Sequence, residues 1–189
     1  MKIYFTASIS GKEKYLSNYK MIIEALKNLD VQILSNHVLI TDREDIEKVS
    51  PEDERKFYDK VNEWINQSDI VIAEVSHQST SVGHEITHAF SKNKPVILLH
   101  VEDKSPILFK GIKSDRLQLI EYHVEDLESQ LKKAINFASD NQDTRFNFFI
   151  SPEHQNYLDW IAKHRKIPRS VFLRRLIEEH MEDNPDYKG

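Results

Sequence analysis

An α/β fold is predicted for residues 1–140: a five-stranded parallel sheet with helices on both faces, followed by a small strand-helix-helix appendage. Three observations carry that prediction. Strand-like and helix-like segments alternate along the chain, and each strand-like segment is an almost continuous apolar run. Strands that are apolar on both faces need cover on both, which is the situation of a parallel sheet wrapped by crossover helices. The third is a change of character after "SDNQDT", which sets off residues 145–183 as a second unit.

Taken in order, "KIYFTAS" is a buried strand ending in small residues. The helix "KEKYLSNYKMIIEALKNLD" places Tyr15, Tyr19, Ile22, Ile23, Leu26 and Leu29 on one stripe. A short strand, "VQILS", precedes "NHVLITDREDIEKVSPEDERK", a polar segment read as a loop. A helix over residues 57–67 aligns Phe57, Val61, Trp64 and Ile65. The strand "DIVIAEV", a helix over about residues 82–92, the strands "KPVILLHV" and "RLQLIEYH", and the amphipathic helix "VEDLESQLKKAINFASD" complete the first unit.

Composition narrows the function classes. A chain of 189 residues with a formal net charge of −5 gives no global reason to expect nucleic acid or an anionic membrane as its main partner. It has no cysteine, which excludes disulfides, thiolate metal sites and cysteine nucleophiles. No run approaches the roughly 20 apolar residues of a membrane span. The N-terminus enters a strand directly, without a signal peptide's long apolar core, so a cytoplasmic location is expected.

Ligands of such sheets bind at the carboxyl ends of the strands. That directs attention to the loops Ala7–Lys12 and Ser76–Gly83. The first offers Ser8, Ser10, Gly11 and backbone amides such as that of Ile9. The second is rich in small and hydroxyl residues, Ser79 and Ser81 among them, and leads into Glu85. A glutamate in the first turn of a helix is also favoured by the macrodipole alone. Asp69, at the mouth of the preceding strand, offers a second carboxylate. Two carboxylates facing a polar cleft suit glycosidic chemistry, one attacking the anomeric carbon and the other managing a proton or orienting the sugar. "HEITH" fits the zinc pattern H-E-x-x-H with His84 and His88 at i, i+4, but a third ligand is not evident and no metal is expected.

The segments "KIYFTASISGK" and "WINQSDIVIAEVSHQSTSVGHEITHAF" closely resemble the 2'-deoxynucleoside 5'-phosphate N-hydrolases of the nucleoside 2-deoxyribosyltransferase superfamily. The resemblance covers about residues 1–140. It implies a flavodoxin-like fold, usually dimeric, that cleaves the bond between base and deoxyribose with neither metal nor cofactor. It implies Glu85 as the nucleophile, forming a deoxyribosyl ester later released by water, and Asp69 as the residue that holds the sugar and assists the leaving base. Tyr4 matches a tyrosine near the nucleophile, Ser8 and Ser79 match 5'-phosphate ligands, and His37 matches a histidine near the base or sugar. Ser10 stands where these hydrolases usually carry an arginine, and Lys12 does not reproduce its fork. Ser81 replaces a glycine near Gly83, and His84 replaces a tyrosine. Ser105 is the nearest candidate for a serine that the family borrows from the partner subunit. Hydrolysis of a deoxynucleoside monophosphate is the expectation; base exchange by a transferase and a nucleotide-sensing, DNA-associated regulator are the alternatives.

The tail, "RFNFFIS" followed by two helices broken at "KIP", resembles a ribbon-helix-helix module. Such modules dimerise and read the DNA major groove with paired strands. Alternation buries Phe146, Phe148 and Ile150 and exposes Arg145, Asn147 and Phe149 as the DNA-facing set. An aromatic at Phe149 is a poor base reader, and the tail is close to neutral, so dimerisation is favoured over DNA binding.

Overall fold

The computed structural model describes residues 1–34, 37–42, 45, 50–140, 148–184 and 186. The chain divides into two compact units, Met1–Asp143 and Thr144–Gly189. The first contains β1 (Lys2–Ala7), α1 (Lys12–Asn28), β2 (Gln32–Ile33), a short α2 (His37–Ile40) and α3 (Pro51–Gln67). It continues with β3 (Ile70–Glu74), α4 (Thr80–Ser91), β4 (Val96–His100), a short α5 (Ile107–Lys110), β5 (Leu117–Glu121) and α6 (Leu127–Asp140). All five strands are parallel, in the order β2-β1-β3-β4-β5. This is the flavodoxin-like order, whose direction reverses between β1 and β3, so a ligand crevice is expected where their carboxyl ends part.

Alternation along the strands builds two cores. Ile3, Phe5, Ile70, Ile72, Ile97 and Leu99 face α1 and α6, where Tyr19, Ile22, Leu26 and Leu131 are buried against them. Tyr4, Val71, Ala73, Val96 and Leu98 face the other way, onto Val61 and Ile65 of α3 and Val82, Ile86 and Ala89 of α4. Both faces being covered explains why the strands read as unbroken apolar runs.

Two expectations are corrected here. The segment read as a polar loop contains the start of α3, which runs six residues further towards the N-terminus than its apolar stripe suggested. Ser50 caps it, accepting from the Asp53 amide at 3.2 Å, Pro51 occupies the first position, and Glu52, Asp53 and Glu54 fill the first turn. Those are ordinary helix-start signals, favoured by the unpaired amides and the dipole, and they override the lack of apolar residues.

The second unit contains α7 (Pro152–His164), capped by Ser151, and α8 (Arg169–Glu182). Pro168 holds the cap position of α8. Residues Phe148–Ile150 form no strand, and Phe148 and Ile150 are exposed rather than buried. A strand is stabilised by pairing with a neighbour, and a single extended segment has none to pair with. Phe146 lies outside the described residues.

Gly11 ends the 3-10 turn Ile9–Gly11, which links β1 to α1. A Cβ there would stand 2.7 Å from both the His77 Cβ and the Tyr19 hydroxyl. Gly11→Ala must push the β3–α4 loop or α1 aside and loosen the bond that the Tyr19 hydroxyl donates to the Ser8 carbonyl. Urea unfolding is expected to show a loss of about 1–3 kcal/mol, the usual range for overpacking.

Candidate active site

Tyr4 lies mid-way along β1, on the face covered by α3 and α4, and is fully buried. Its hydroxyl donates to Glu85 Oε2 at 2.9 Å. Glu85 is itself buried, in the second turn of α4. The first turn of that helix contains no acid, and Ser79 caps it by accepting from the Val82 amide at 3.4 Å. The macrodipole acts within the first turn, so it does not account for this carboxylate.

Burial pushes the Glu85 carboxyl above its ordinary value, while the Thr6 and Tyr4 hydroxyls and then the His84 ring pull it back. Burial, and next the Glu85 carboxylate, hold the Tyr4 phenol far above the usual tyrosine range, so it remains a donor throughout the working pH range. A desolvated carboxylate aimed by one strong donor is a competent nucleophile or general base.

Aromatic rings stand beside this pair. The buried His37 ring lies 5.9 Å from Tyr4 and 5.5 Å from Trp64, within 15° of parallel to each, and meets Phe57 edge-on at 5.5 Å. Burial lowers the His37 imidazole to about 4, so it is neutral at pH 7. Lys12 ties its segment down: the ammonium donates to the carbonyls of Leu39 (3.1 Å) and Thr41 (2.9 Å) and pairs with Asp42 at 2.6 Å. Parallel π-surfaces next to a buried carboxylate suit a flat heteroaromatic ring.

Asp69 is not part of this arrangement, which corrects the expected pair of carboxylates. It is exposed and accepts from the Lys2 amide at 2.7 Å, at the amino end of β3. Five residues of strand, roughly 16 Å, separate it from the carboxyl end at which the loops open.

A second buried carboxylate exists that sequence reasoning missed. Glu74 ends β3 with no exposed surface, on the α1/α6 face and so away from Glu85. Its Oε1 accepts from the Ser76 hydroxyl and, at 3.4 Å, from Tyr122, whose oxygen accepts in turn from Asn18 at 2.8 Å. Ser76 also accepts from the Val101 amide at 2.9 Å, so Glu74 anchors the loop that leads into α4. The available signal was an acid closing an otherwise apolar strand.

The loop residues divide. Ser8 is buried, and its hydroxyl contacts the Gly11 amide (3.2 Å), Ser10 (3.0 Å) and His77 Nδ1 (3.2 Å). It is a cap that joins the two loops at the switch point, and these contacts occupy it, against the expectation of a free phosphate ligand. Ser10 is exposed, and Ile9 is partly covered. Ser79 and Gly83 line a cleft of about 810 Å³ with His77, Lys104 and Ser105. The Ser105 hydroxyl is buried there without a hydrogen bond. Ser81 and His84 are exposed, and His84 lies beside Tyr58 and His88. Neither lines the cleft, and nor does Glu85.

The model of one protein family, nucleoside 2-deoxyribosyltransferase, matches residues 3–147. The chain belongs to that family. Among relatives of this nucleoside 2-deoxyribosyltransferase-family chain, a protein of Syntrophotalea carbinolica, provisionally named 2'-deoxynucleoside 5'-phosphate N-hydrolase 1, is 32% identical over 65% of the chain and 84% of its own length. The 5-hydroxymethyl-dUMP N-hydrolase of Mus musculus is 26% identical over 69% of the chain and 78% of its own length. Among solved structures, the CMP N-glycosidase of Clostridium botulinum aligns over 69% of the chain and 98% of its own, with TM-score 0.49 and 21% identity. The family model ends at residue 147, before α7 and α8.

Among the described residues of this family member, no group of three or more His, Asp or Glu could hold a metal ion, and no helix is long and apolar enough to cross a membrane. Of the residues expected to face DNA, Phe149 is fully exposed, whereas Arg145 and Asn147 lie outside the described residues.

Glu74 provides a test by pH. Burial raises its carboxyl, and the Ser76 and Tyr122 contacts only partly offset this. The folded state therefore holds its proton where the unfolded chain has lost it, and stability falls as pH rises from the ordinary carboxylate value through the raised one. Glu74→Gln keeps an acceptor for Ser76 without the charge. Its melting temperature relative to wild type is expected to climb across that window and then level off, which calorimetry from pH 4 to pH 8 checks.

Proposed function

We propose that this chain hydrolyses the N-glycosidic bond of a 2'-deoxynucleoside 5'-monophosphate, releasing free base and deoxyribose 5-phosphate. The observation that carries the reading is the buried hydrogen bond from Tyr4 to Glu85. The names of the relatives, both N-hydrolases acting on deoxynucleotides, support the reaction class.

In the first step a Glu85 carboxylate oxygen bonds to C1' of the sugar. The C1'–N bond breaks, and its electron pair goes to the base nitrogen, which gains a proton from solvent. In the second step water adds at C1', the ester C–O bond breaks with its pair returning to Glu85, and the water's proton passes to solvent. Tyr4 keeps its proton throughout, holding the carboxylate in line and stabilising its charged form. The base lies against the rings of His37 and Trp64, which read it by shape and stacking, because the neutral imidazole offers no charge.

The 5'-phosphate belongs in the cleft beyond the first turn of α4. Ser79, the helix amides and Ser105 supply donors there, and Lys104 supplies the charge that Ser10 does not. Ser105 lines the cleft of its own chain, which supports a role within that subunit. Water is the acceptor in this reading, and transfer of the sugar between two bases is the outcome that would replace it.

Base release from a panel of deoxynucleoside monophosphates and the matching nucleosides, followed by chromatography, tests the proposal. Glu85→Ala is expected to lose on the order of 10⁴-fold or more in kcat. Tyr4→Phe removes a hydrogen bond to a charged group and is expected to cost roughly 10- to 100-fold. It also removes an influence that lowers the Glu85 carboxyl, so the acid limb of kcat/KM must move to higher pH. An unmoved limb would mean that the titrating group is not Glu85. Lys104→Ala should raise KM for monophosphates roughly tenfold and leave nucleosides unaffected.

A further inference from the structure

Thr6 is out of keeping with the strand that carries it. The other buried residues of β1 are Ile3, Tyr4, Phe5 and Ala7, and Thr6 is fully buried among them. Its hydroxyl has no hydrogen-bond partner among the described residues. A buried hydroxyl without a partner is costly, and valine would offer the same shape and a good strand preference without that cost. The hydroxyl therefore calls for an acceptor close by.

Alternation along β1 identifies it. Tyr4 and Thr6 leave the strand on the same face, about 7 Å apart, with Thr6 nearer the carboxyl end. Thr6 is paired in register with Ala73 of β3, as Tyr4 is with Val71. Glu85 reaches this face from α4 and accepts from the Tyr4 hydroxyl. Thr6 bears on both members of that pair. Burial raises the Glu85 carboxyl, and the Thr6 hydroxyl is the foremost influence against it, ahead of Tyr4 and His84. Burial and then Glu85 raise the Tyr4 phenol, and Thr6 opposes them. A hydroxyl has one proton to give, and a charged carboxylate accepts it more strongly than a neutral phenol oxygen. Rotation about χ1 alone is enough to aim it.

We propose that Thr6 is a positioning residue for Glu85: its hydroxyl donates to the carboxylate as a second holder beside Tyr4. On the reading given above, on which this rests, two donors from adjacent same-face positions of one strand fix the carboxylate in line with C1'. Tyr4 alone would leave it free to swing about a single bond. The other titratable group bearing on Glu85 is His84 of its own helix, and His37 of α2 lies beside the Tyr4 ring. From α3 the packed side chains are the apolar Val61 and Ile65.

Two substitutions in the full-length protein separate the hydroxyl from the methyl. Thr6→Val keeps the shape and removes the donor. Its melting temperature is expected to equal or exceed that of wild type, while kcat for base release falls roughly tenfold with KM unchanged. Loss of a donor to the charged form moves the acid limb of kcat/KM to higher pH. Thr6→Ser keeps the donor and loses the methyl, so it should melt lower and yet retain kcat to within about twofold. A merely structural threonine predicts the opposite ranking. The Glu85 carboxyl can also be titrated without turnover, by carbon NMR of glutamate-labelled protein with Glu85→Gln to assign its signal. Thr6→Val should move that titration to higher pH and Thr6→Ser should restore it. An unmoved titration in Thr6→Val, or a loss of kcat in Thr6→Ser as large as in Thr6→Val, would overturn the proposal even if wild type is a hydrolase. A moved titration in a protein that releases no base would instead sink the hydrolase reading and leave the Thr6–Glu85 contact established.

Discussion

The hydrogen bond from Tyr4 to Glu85 imposes a constraint that much of the first unit is arranged to meet. A carboxylate taken out of water costs several kcal/mol unless donors compensate it, and a phenol buried beside it must stay protonated. Neither group tolerates slack, because a lengthened contact leaves both unsatisfied in an apolar core. Tyr4 is therefore held mid-strand, paired in register with Val71 of β3, and Glu85 is held on a helix whose Val82, Ile86 and Ala89 lock it to the same sheet face. Rigid elements supply both partners, and the loops supply the surroundings.

The loops are braced in their turn from the opposite face. Glu74 gathers Ser76 and Tyr122, Ser76 gathers Val101, and Ser8 joins the β1 loop to His77. These polar contacts stand at the cleft, which Ser76 and His77 line. They cost desolvation, and in return they specify one conformation for the segment that delivers α4. Lys12 does the same for the segment carrying His37, neutralising carbonyls at the end of a short helix with one ammonium.

How much of this was legible in the sequence depends on the kind of regularity involved. The five-stranded parallel sheet followed from period and composition, and the stripe from Tyr15 to Leu26 is buried against it. The Tyr4–Glu85 meeting was suggested by resemblance, since residues 81 apart carry no local signal of contact. Asp69 was misplaced although its position was readable: it precedes its strand, and in a parallel sheet that means the amino edge. Ser8 could not have been sorted in advance, because a hydroxyl that caps a turn and one that awaits a ligand look alike in a sequence. The near-parallel rings of His37 and Trp64 come from two separate elements, and nothing in either segment encodes their orientation. The start of α3 was legible in Ser50 and Pro51 and was obscured only by the charges that follow.

Placing Glu85 one turn beyond the start of α4 gives that helix the character of a ruler. Its first turn borders the cleft at Ser79 and Gly83, while Glu85 stands six residues past Ser79, about 9 Å along the axis. On the proposed reading that interval spans the sugar between its phosphate and its anomeric carbon. Because backbone hydrogen bonds set the interval, side-chain replacement cannot lengthen it. Divergence among such chains can then alter which base is read or how strongly the anion is held, while the length of the molecule between those two points stays fixed by the pitch of one helix.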